Sequence, residues 1–571
     1  MNLLTHIVHL PLKGEAIKNE NFNLIVCKPD RPTWAAFSNG SGSLAFGQSF
    51  RWPVSSTLAG QVTHEAEHKN QFTTGVAMRI ASHQKLGALI FAFALVAVST
   101  QAQTDPEIMN LTDPLGGKPP VNAKASVADL DYQVTYQRAF EAVLWSIPAV
   151  SIYGFQRGAV GLGAGPNVIL AWSKPAKPNL EAMTGNNQVP YIVSQTDLRN
   201  GPVVVEIPAA SERASLYGQI VDHWQMTIAD IGPSGIDKGR GGKILLTPPG
   251  YTDRVSAKFI EVKSPSYRVA FAFRAIPGAE SSMAQAYDYA QTLKMYYLSE
   301  LPRPVPTKFI DPIDLRYSTL PHYDETWFEH LHSIISVENV YPRDKVMMGM
   351  LASLGIEKGK PYNPDAKTKK AMRQAVIDAY HYMLQRTLHP TDNSRIWWKG
   401  KHWYDGLFAD ANRQFSYEYA DKIDIDNRAD RYYIGTFYPK GVGPKPATQY
   451  LFALADKNGD ELQAGKTYSF TMPAKVPAEQ FWSLIVYDLE TMSFIYNPLE
   501  RAGLSSFDLP NMKKNNDGSV TMYFGPNAPT GLESNWIPTA GKWPIPTIRI
   551  YGGTEEFWNK SWEMPDVEAV K

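Results

Sequence analysis

The feature that most constrains this chain is a change of hydrophobic period along its length. Between Gly154 and Ile276 the apolar residues come in short runs, such as Val189–Val193, Val203–Ile207, Lys243–Leu246 and Arg268–Phe273. Asn200-Gly201-Pro202, Gly232-Pro233-Ser234-Gly235 and Pro248-Pro249-Gly250 separate them. Short apolar runs bounded by turn residues predict strands. From Ser281 to about Tyr419 the spacing turns helical, at Ala284–Leu298, Trp327–Ile335, Arg343–Leu354 with a stop at Gly355, and Ala366–Leu388. Leu301-Pro-Arg-Pro-Val-Pro306 reads there as a stiff extended linker. After Arg428 strand patterns return, at Tyr432–Tyr438, Thr467–Met472, Trp482–Tyr487, Val520–Phe524 and Thr547–Tyr551. Asn458-Gly459 and Asp517-Gly518 supply hairpin turns. Strands, then helices, then strands is the order of two β units joined by helices, not of an alternating α/β sheet.

Upstream, Asp129–Trp145 carries Leu130, Val134, Phe140, Val143 and Leu144 at helical spacing, and Pro148 is expected to end that helix. Further upstream lies a different signal. Arg79 and Lys85 precede the apolar run Gly87–Val98, and Thr100 and Ala102 are small residues at a cleavage site. That order is a secretory signal peptide, with an apolar run well under the ~20 residues of a membrane span. The expectation is that residues 1–77 are an over-extended start, that Met78 initiates, and that the chain is cleaved near Ala102. The product is then periplasmic or secreted. It contains no cysteine, because Cys27 lies upstream, and its stability rests on its core. The same cut removes His64-Glu65-Ala66-Glu67-His68, a zinc-protease pattern whose flanks offer no amphipathic helix to carry it.

The chain has 571 residues, with 56 basic and 56 acidic side chains. Balanced charge excludes a global field that would recruit nucleic acid. No later apolar run of ~18 residues predicts a transmembrane span. Aromatic residues make up 12% of the chain, in keeping with many short strands.

Chemistry-bearing motifs are few. No Gly-x-Ser-x-Gly elbow occurs. Gly158-Ala-Val-Gly161-Leu-Gly163-Ala-Gly165 and Gly239-Arg-Gly-Gly-Lys243 miss the dinucleotide and P-loop patterns and read as flexible loops. His330 and His332, near His322 and Glu329, point to different faces of a helix. Asp424-Ile-Asp426 with Asp430, and Asp456-Lys-Asn-Gly-Asp460, lack a calcium loop's spacing. No metal or cofactor site is therefore assigned. Asp222-His223 is the catalytic candidate, since a carboxylate beside an imidazole orients a base or raises its pKa. The competing reading is a structural histidine. Trp224 and Trp536, with Trp543, make a stacking floor for a ligand or belong to the core. Arg501 and Arg549 clamp a carboxylate or bridge loops. Tyr191 completes the ligand-binding candidates.

Three stretches carry a family resemblance. Asn200-Gly-Pro-Val-Val-Val-Glu-Ile-Pro208, Asp222-His223-Trp224 and Gly242-Lys-Ile-Leu-Leu-Thr-Pro-Pro-Gly250 resemble the domain of unknown function numbered 1254. Phe481-Trp-Ser-Leu-Ile-Val-Tyr-Asp488, Asn497, Arg501, Asn516-Asp-Gly-Ser519, Asn535-Trp-Ile-Pro538 and Arg549-Ile-Tyr551 resemble its usual companion, numbered 1214. Many members carry Asn-x-Asp-Thr-x-Tyr where this chain has Asn186-Asn-Gln-Val-Pro-Tyr191, so no role of that Asp or Thr transfers. The resemblance implies a mainly β chain with an α-helical connector: an immunoglobulin-like β-sandwich, then helices, then a jelly-roll-like β-sandwich. The expected boundaries are 1–77 (over-extended start), 78–102 (signal), 103–153 (helical lead), 154–280 (first sandwich), 281–427 (connector) and 428–571 (second sandwich). Two functions stand. One is an exported enzyme, a hydrolase or lyase, acting on a small exogenous molecule in a pocket between the β domains. The other is a non-catalytic periplasmic ligand-binding or cell-envelope interaction protein. Either is compatible with a homo-oligomer.

Overall fold

A computed structural model describes residues 124–571 apart from residue 392. The signal peptide, residues 1–77, the His64–His68 pattern and Cys27 lie outside the described residues.

The described chain opens with the helix Leu130–Gly161, whose first turn is capped by the Asp129 carboxylate accepting from the Tyr132 N–H at 3.0 Å. Pro148 does not end it. The helix is buried over Ala142–Ile152, and packing holds it through a proline that costs it one backbone bond. It also absorbs Gly158 and Gly161, which the sequence places in a flexible loop. At Gly158, as at Gly154 one turn earlier, the reason is close approach: a Cβ at Gly154 would lie 2.5 Å from the Thr319 carbonyl oxygen, and one at Gly158 2.5 Å from that of Ser318.

The first β region has a six-stranded sheet in the order Lys308–Ile310, Val168–Ala171, Tyr191–Asp197, Arg268–Pro277, Ala214–Asp222, Thr227–Ile231. A four-stranded sheet, Lys294–Tyr297, Val203–Ile207, Gly242–Thr247, Ile260–Lys263, lies against it. Ile192, Phe271 and Phe273 from one and Val203, Val205 and Leu246 from the other share one core. The helix expected at Ala284–Leu298 stops early. Met283–Ala290 is helical, with a Ser282/Gln285 capping box, but Lys294–Tyr297 pairs with the free edge of Val203–Glu206. Ladder bonds outweigh local helical spacing there.

The helices Thr326–Val337, Lys345–Ser353, Ala366–Leu388 and Ile425–Ile434 pack on the long first helix. The last replaces the strand expected at Tyr432–Tyr438. Asp424 caps it, accepting from Asn427 N–H at 3.2 Å, and Arg428 reaches the Trp145 carbonyl oxygen at 3.1 Å. A buried helical face absorbs the aromatic pair Tyr432–Tyr433.

The C-terminal region has a six-stranded sheet built on Trp403–Asp405, Thr448–Ala453, Pro544–Gly553, Ala478–Asp488 and Ser493–Phe494, with Gly503–Ser505 also paired to Ala478–Asp488. Its four-stranded companion is Trp536–Pro538, Val520–Gly525, Tyr468–Met472 and Glu568–Ala569. Leu484, Ile548, Met522 and Phe524 fill the core between them. The chain is thus a mixed fold of several sheets and helices. Among the described residues, no helix is long and apolar enough to cross a membrane.

Strand alternation gives each six-stranded sheet a second face. Val193 and Ala272 from the first, and Phe452, Ile485 and Tyr487 from the last, join the helices in one further core. Both second faces therefore meet around the helical core.

Candidate functional site

Asp222 ends the strand Ala214–Asp222, where the chain turns into Thr227–Ile231. Its Oδ1 accepts from the Trp224 N–H at 2.8 Å and the Met226 N–H at 2.9 Å. These bonds shape a turn. Burial pushes the carboxyl up to about 7 against their opposing effect. His223 is 1% exposed, donates its backbone N–H to Ser266 Oγ at 2.9 Å, and has Nδ1 3.4 Å from Gln156 Nε2. Burial holds its imidazole well below the ordinary value, so the ring is neutral, and Nε2 has no partner. The two side chains are neighbours in sequence without a hydrogen bond between them. Trp224 packs 4.5 Å from Trp145 in the helical core.

Arg501 and Trp536 are brought together elsewhere. Arg501 Nη1 donates to the carbonyl oxygens of Glu533 (2.7 Å) and Trp536 (2.8 Å), and Trp536 Nε1 donates to the Gly525 carbonyl oxygen at 3.0 Å. That is a loop bridge, from the loop before Gly503–Ser505 to the four-stranded sheet. Among the other polar clusters, His322 and His330 have ring centres 5.8 Å apart, but His332 bonds the Lys360 carbonyl oxygen instead. Among the described residues no group of three side chains is placed to hold a metal ion.

Tyr191 and Arg549 do converge, and they bring residues the sequence reading missed. In the first sheet, register aligns Tyr191, Arg274 and Tyr217 across three neighbouring strands. Residues in register share a face, and this row faces away from the first core. The Arg274 guanidinium lies over the Tyr191 ring at 4.2 Å. In the last sheet, register aligns Tyr450, Arg549 and Ser483, and beside them Thr448, Tyr551 and Phe481. The Arg549 guanidinium lies 4.6 Å from the Tyr450 ring centre.

The loop before Tyr191 links them. Arg549 Nη2 donates to the Thr184 carbonyl oxygen (2.8 Å), the Gly185 carbonyl oxygen (3.2 Å) and Tyr487 Oη (2.5 Å). Asn186 donates its backbone N–H to Tyr191 Oη at 2.6 Å and its Nδ2 to Tyr551 Oη at 3.1 Å. Tyr217 keeps 40% of its surface exposed beside Arg274 in the first row.

The buried donors of the second row are short of acceptors. Arg549 is 0% exposed, yet its Nε and Nη1 have no partner, and neither has the hydroxyl of Ser483 beside it. Neither Arg549 nor Arg274 has an acidic partner among the described residues. Burial pushes the Tyr487, Tyr551 and Tyr217 phenols up, so they stay neutral and do not compensate the guanidinium. A sequence signal for this site existed only in part. Arg549 stands in a quoted motif, but Arg274 sits in a strand whose other residues mark it as core.

Residues 166–297 match the family model described as Protein of unknown function (DUF1254), and residues 447–555 match Protein of unknown function (DUF1214). The chain carries both domains. Tyr191, Tyr217 and Arg274 fall in the DUF1254 part, and Tyr450, Ser483, Arg549 and Tyr551 in the DUF1214 part, so the bonds from Arg549 to Thr184 and from Asn186 to Tyr551 join the two. The VPA0106 protein of Vibrio parahaemolyticus is similar at 20% identity and a TM-score of 0.46, over 76% of this chain and 100% of that one. A putative uncharacterized protein from Burkholderia cenocepacia is similar at 13% identity and a TM-score of 0.34, over 77% of this chain and 95% of that one. No curated protein matches the chain.

Proposed function

We propose that the protein is a non-catalytic binding protein for a small organic anion, a carboxylate, held between its DUF1254 and DUF1214 parts. One observation carries this reading. Arg549 is fully buried without a countercharge, with two N–H groups unpartnered. A buried charge lacking a partner is costly, and an incoming carboxylate removes that cost while accepting from both free N–H groups. Arg274 at the accessible side supplies a second guanidinium, and the rings of Tyr191, Tyr217 and Tyr450 offer flat walls for the ligand's apolar part.

The hydrolase or lyase reading loses its support at Asp222 and His223. Both are buried, the carboxylate is occupied by backbone N–H groups, and the imidazole is not hydrogen-bonded to it. The order of charged, apolar and small residues over 78–102 favours an exported protein. Each pair of sheets with its own core favours an immunoglobulin-like first unit and a jelly-roll-like second.

The test is a melting-temperature shift with benzoate, citrate and succinate, each set against its neutral amide. A ligand that binds only the folded state raises stability by about 2.7 kcal/mol at a hundred times its Kd. The acids should raise the melting temperature and the amides should not. Equal shifts for acid and amide, or none for any acid, overturn the proposal.

A further inference from the structure

A second cavity of about 410 Å³ lies where the end of helix Ala366–Leu388, the segment 405–419 and helix Ile425–Ile434 meet. Its volume is that of a small-molecule site. Unlike the proposed anion site, its charges balance. Three arginines (Arg386, Arg395, Arg413) and three aspartates (Asp405, Asp410, Asp430) line it.

These charges are already engaged within the protein. Arg395 Nη1 lies 3.2 Å from Asp430 Oδ2, and both side chains are buried. Arg386 donates Nη2 to Asn427 Oδ1 at 2.9 Å, with Nη1 3.7 Å from Asp426. Arg413 is held by the carbonyl oxygens of Val442 and Gly443. Asp405 accepts from the Leu407 N–H at 2.7 Å and Gln449 Nε2 at 2.6 Å. Asp410 accepts from the backbone N–H groups of Asn412, Gln414 and Tyr417.

Beside the cavity sits a mixed set of single buried hydrogen-bonding atoms. Asp430 Oδ1 is a buried acceptor with no partner, and Arg395 Nε and Arg386 Nε are buried donors with none. A carboxylate or an ammonium ion entering would satisfy one kind and leave its own charge against groups already paired. A hydroxyl both donates and accepts, and vicinal hydroxyls serve both kinds at once. Phe408 and Tyr417 supply apolar wall between the polar atoms. We propose that this cavity is a second ligand site, for a neutral polyhydroxylated molecule of sugar or polyol type. It shares no lining residue with the proposed anion site and stands independently of it.

The experiment is calorimetric titration of the full chain with glucose, maltose and xylitol, and with gluconate and glucosamine as charged counterparts. Two variants accompany it. Ala411→Trp fills the cavity from an exposed lining position and disturbs no buried ion pair. Asp430→Asn keeps the side chain's shape and removes its charge. The expected result is saturable binding of at least one neutral sugar or polyol, with its charged counterpart at least about tenfold weaker. Ala411→Trp should abolish that binding with the melting temperature and benzoate binding unchanged, and Asp430→Asn should weaken it about tenfold. Absence of saturable binding for all three neutral probes overturns the proposal. So does binding that survives Ala411→Trp, or equal affinity for gluconate or glucosamine.

Discussion

Arg274 and Arg549 hold matching positions in two different sheets. Each is the middle residue of a three-strand row, Tyr191–Arg274–Tyr217 in one sheet and Tyr450–Arg549–Ser483 in the other. Each guanidinium lies over a tyrosine of its own row, at 4.2 Å and 4.6 Å. Cation–π contact stabilises a guanidinium without neutralising it. Neither guanidinium has an acidic partner among the described residues, and in the proposed site the two together favour an anionic ligand.

Arg274 is the better residue to mutate, because it reaches solvent and anchors nothing by hydrogen bonds. Arg274→Gln should weaken carboxylate binding at least about tenfold while lowering stability by about 0.5–1 kcal/mol, the worth of its cation–π contact with Tyr191. Calorimetry with benzoate and a urea melt measure the two. Undiminished affinity would remove Arg274 from the site.

Arg549→Lys keeps the charge and loses the planar fork that donates to Thr184, Gly185 and Tyr487. We expect stability to fall by about 1–3 kcal/mol from orphaned acceptors, together with loss of carboxylate binding. A lysine variant that binds benzoate as the parent does would show that point charge, not fork geometry, holds the ligand.

Asp222 imposes a pH dependence whose sign follows from its raised folded-state value of about 7. Between the unfolded carboxyl's ordinary pKa, near ~4, and about 7, the folded state holds the proton and the unfolded state has lost it. Stability therefore falls as pH rises through that window, and the loss is complete above it. Asp222→Asn keeps an oxygen to accept from Trp224 and Met226 but cannot ionise. Chemical melts from pH 4 to 8 should show the variant gaining on the parent with rising pH, by an amount on the order of a few kcal/mol. A constant difference across the range would contradict the buried, protonated carboxyl.

His223→Ala should destabilise by about 1–3 kcal/mol, through lost packing and the freed Gln156 amide, without changing carboxylate affinity. Urea melts and calorimetry on the same protein separate the effects. A stable variant with altered ligand binding would return His223 to the site.

Gly154→Ala and Gly158→Ala place a methyl 2.5 Å from a backbone oxygen of the Ser318–Thr319 segment. Each should cost about 1–3 kcal/mol through overpacking. Near-native melting of both variants would mean that this segment moves away freely.

Local patterns placed individual elements well. Val203–Ile207 and Ala366–Leu388 occupy the residues that alternation and helical spacing predict, and Gly459 and Gly518 adopt the positive φ of their turns. The misses share one cause. Pro148 stays inside a helix, Lys294–Tyr297 joins a sheet, and Tyr432–Tyr433 turn helical, each because a distant partner outweighs a local preference. The candidate site was legible to the same degree. Tyr191 and Arg549 stood out as residues, while Arg274, Tyr217, Tyr450 and Tyr551 looked like ordinary strand positions.

What the sequence determined by itself is which face each residue of a strand presents, since side chains alternate with a period of two. It therefore placed Arg549 and Tyr551 on one face and Ile548 and Ile550 on the other. Only the tertiary structure decided what that face meets. The Thr184–Asn186 loop reaches Arg549 and Tyr551 from the far domain, and register in two separate sheets centres Arg274 and Arg549 each in its own row. Contacts between parts so distant in the chain depend on how whole sheets pack around the helices, which no local period encodes.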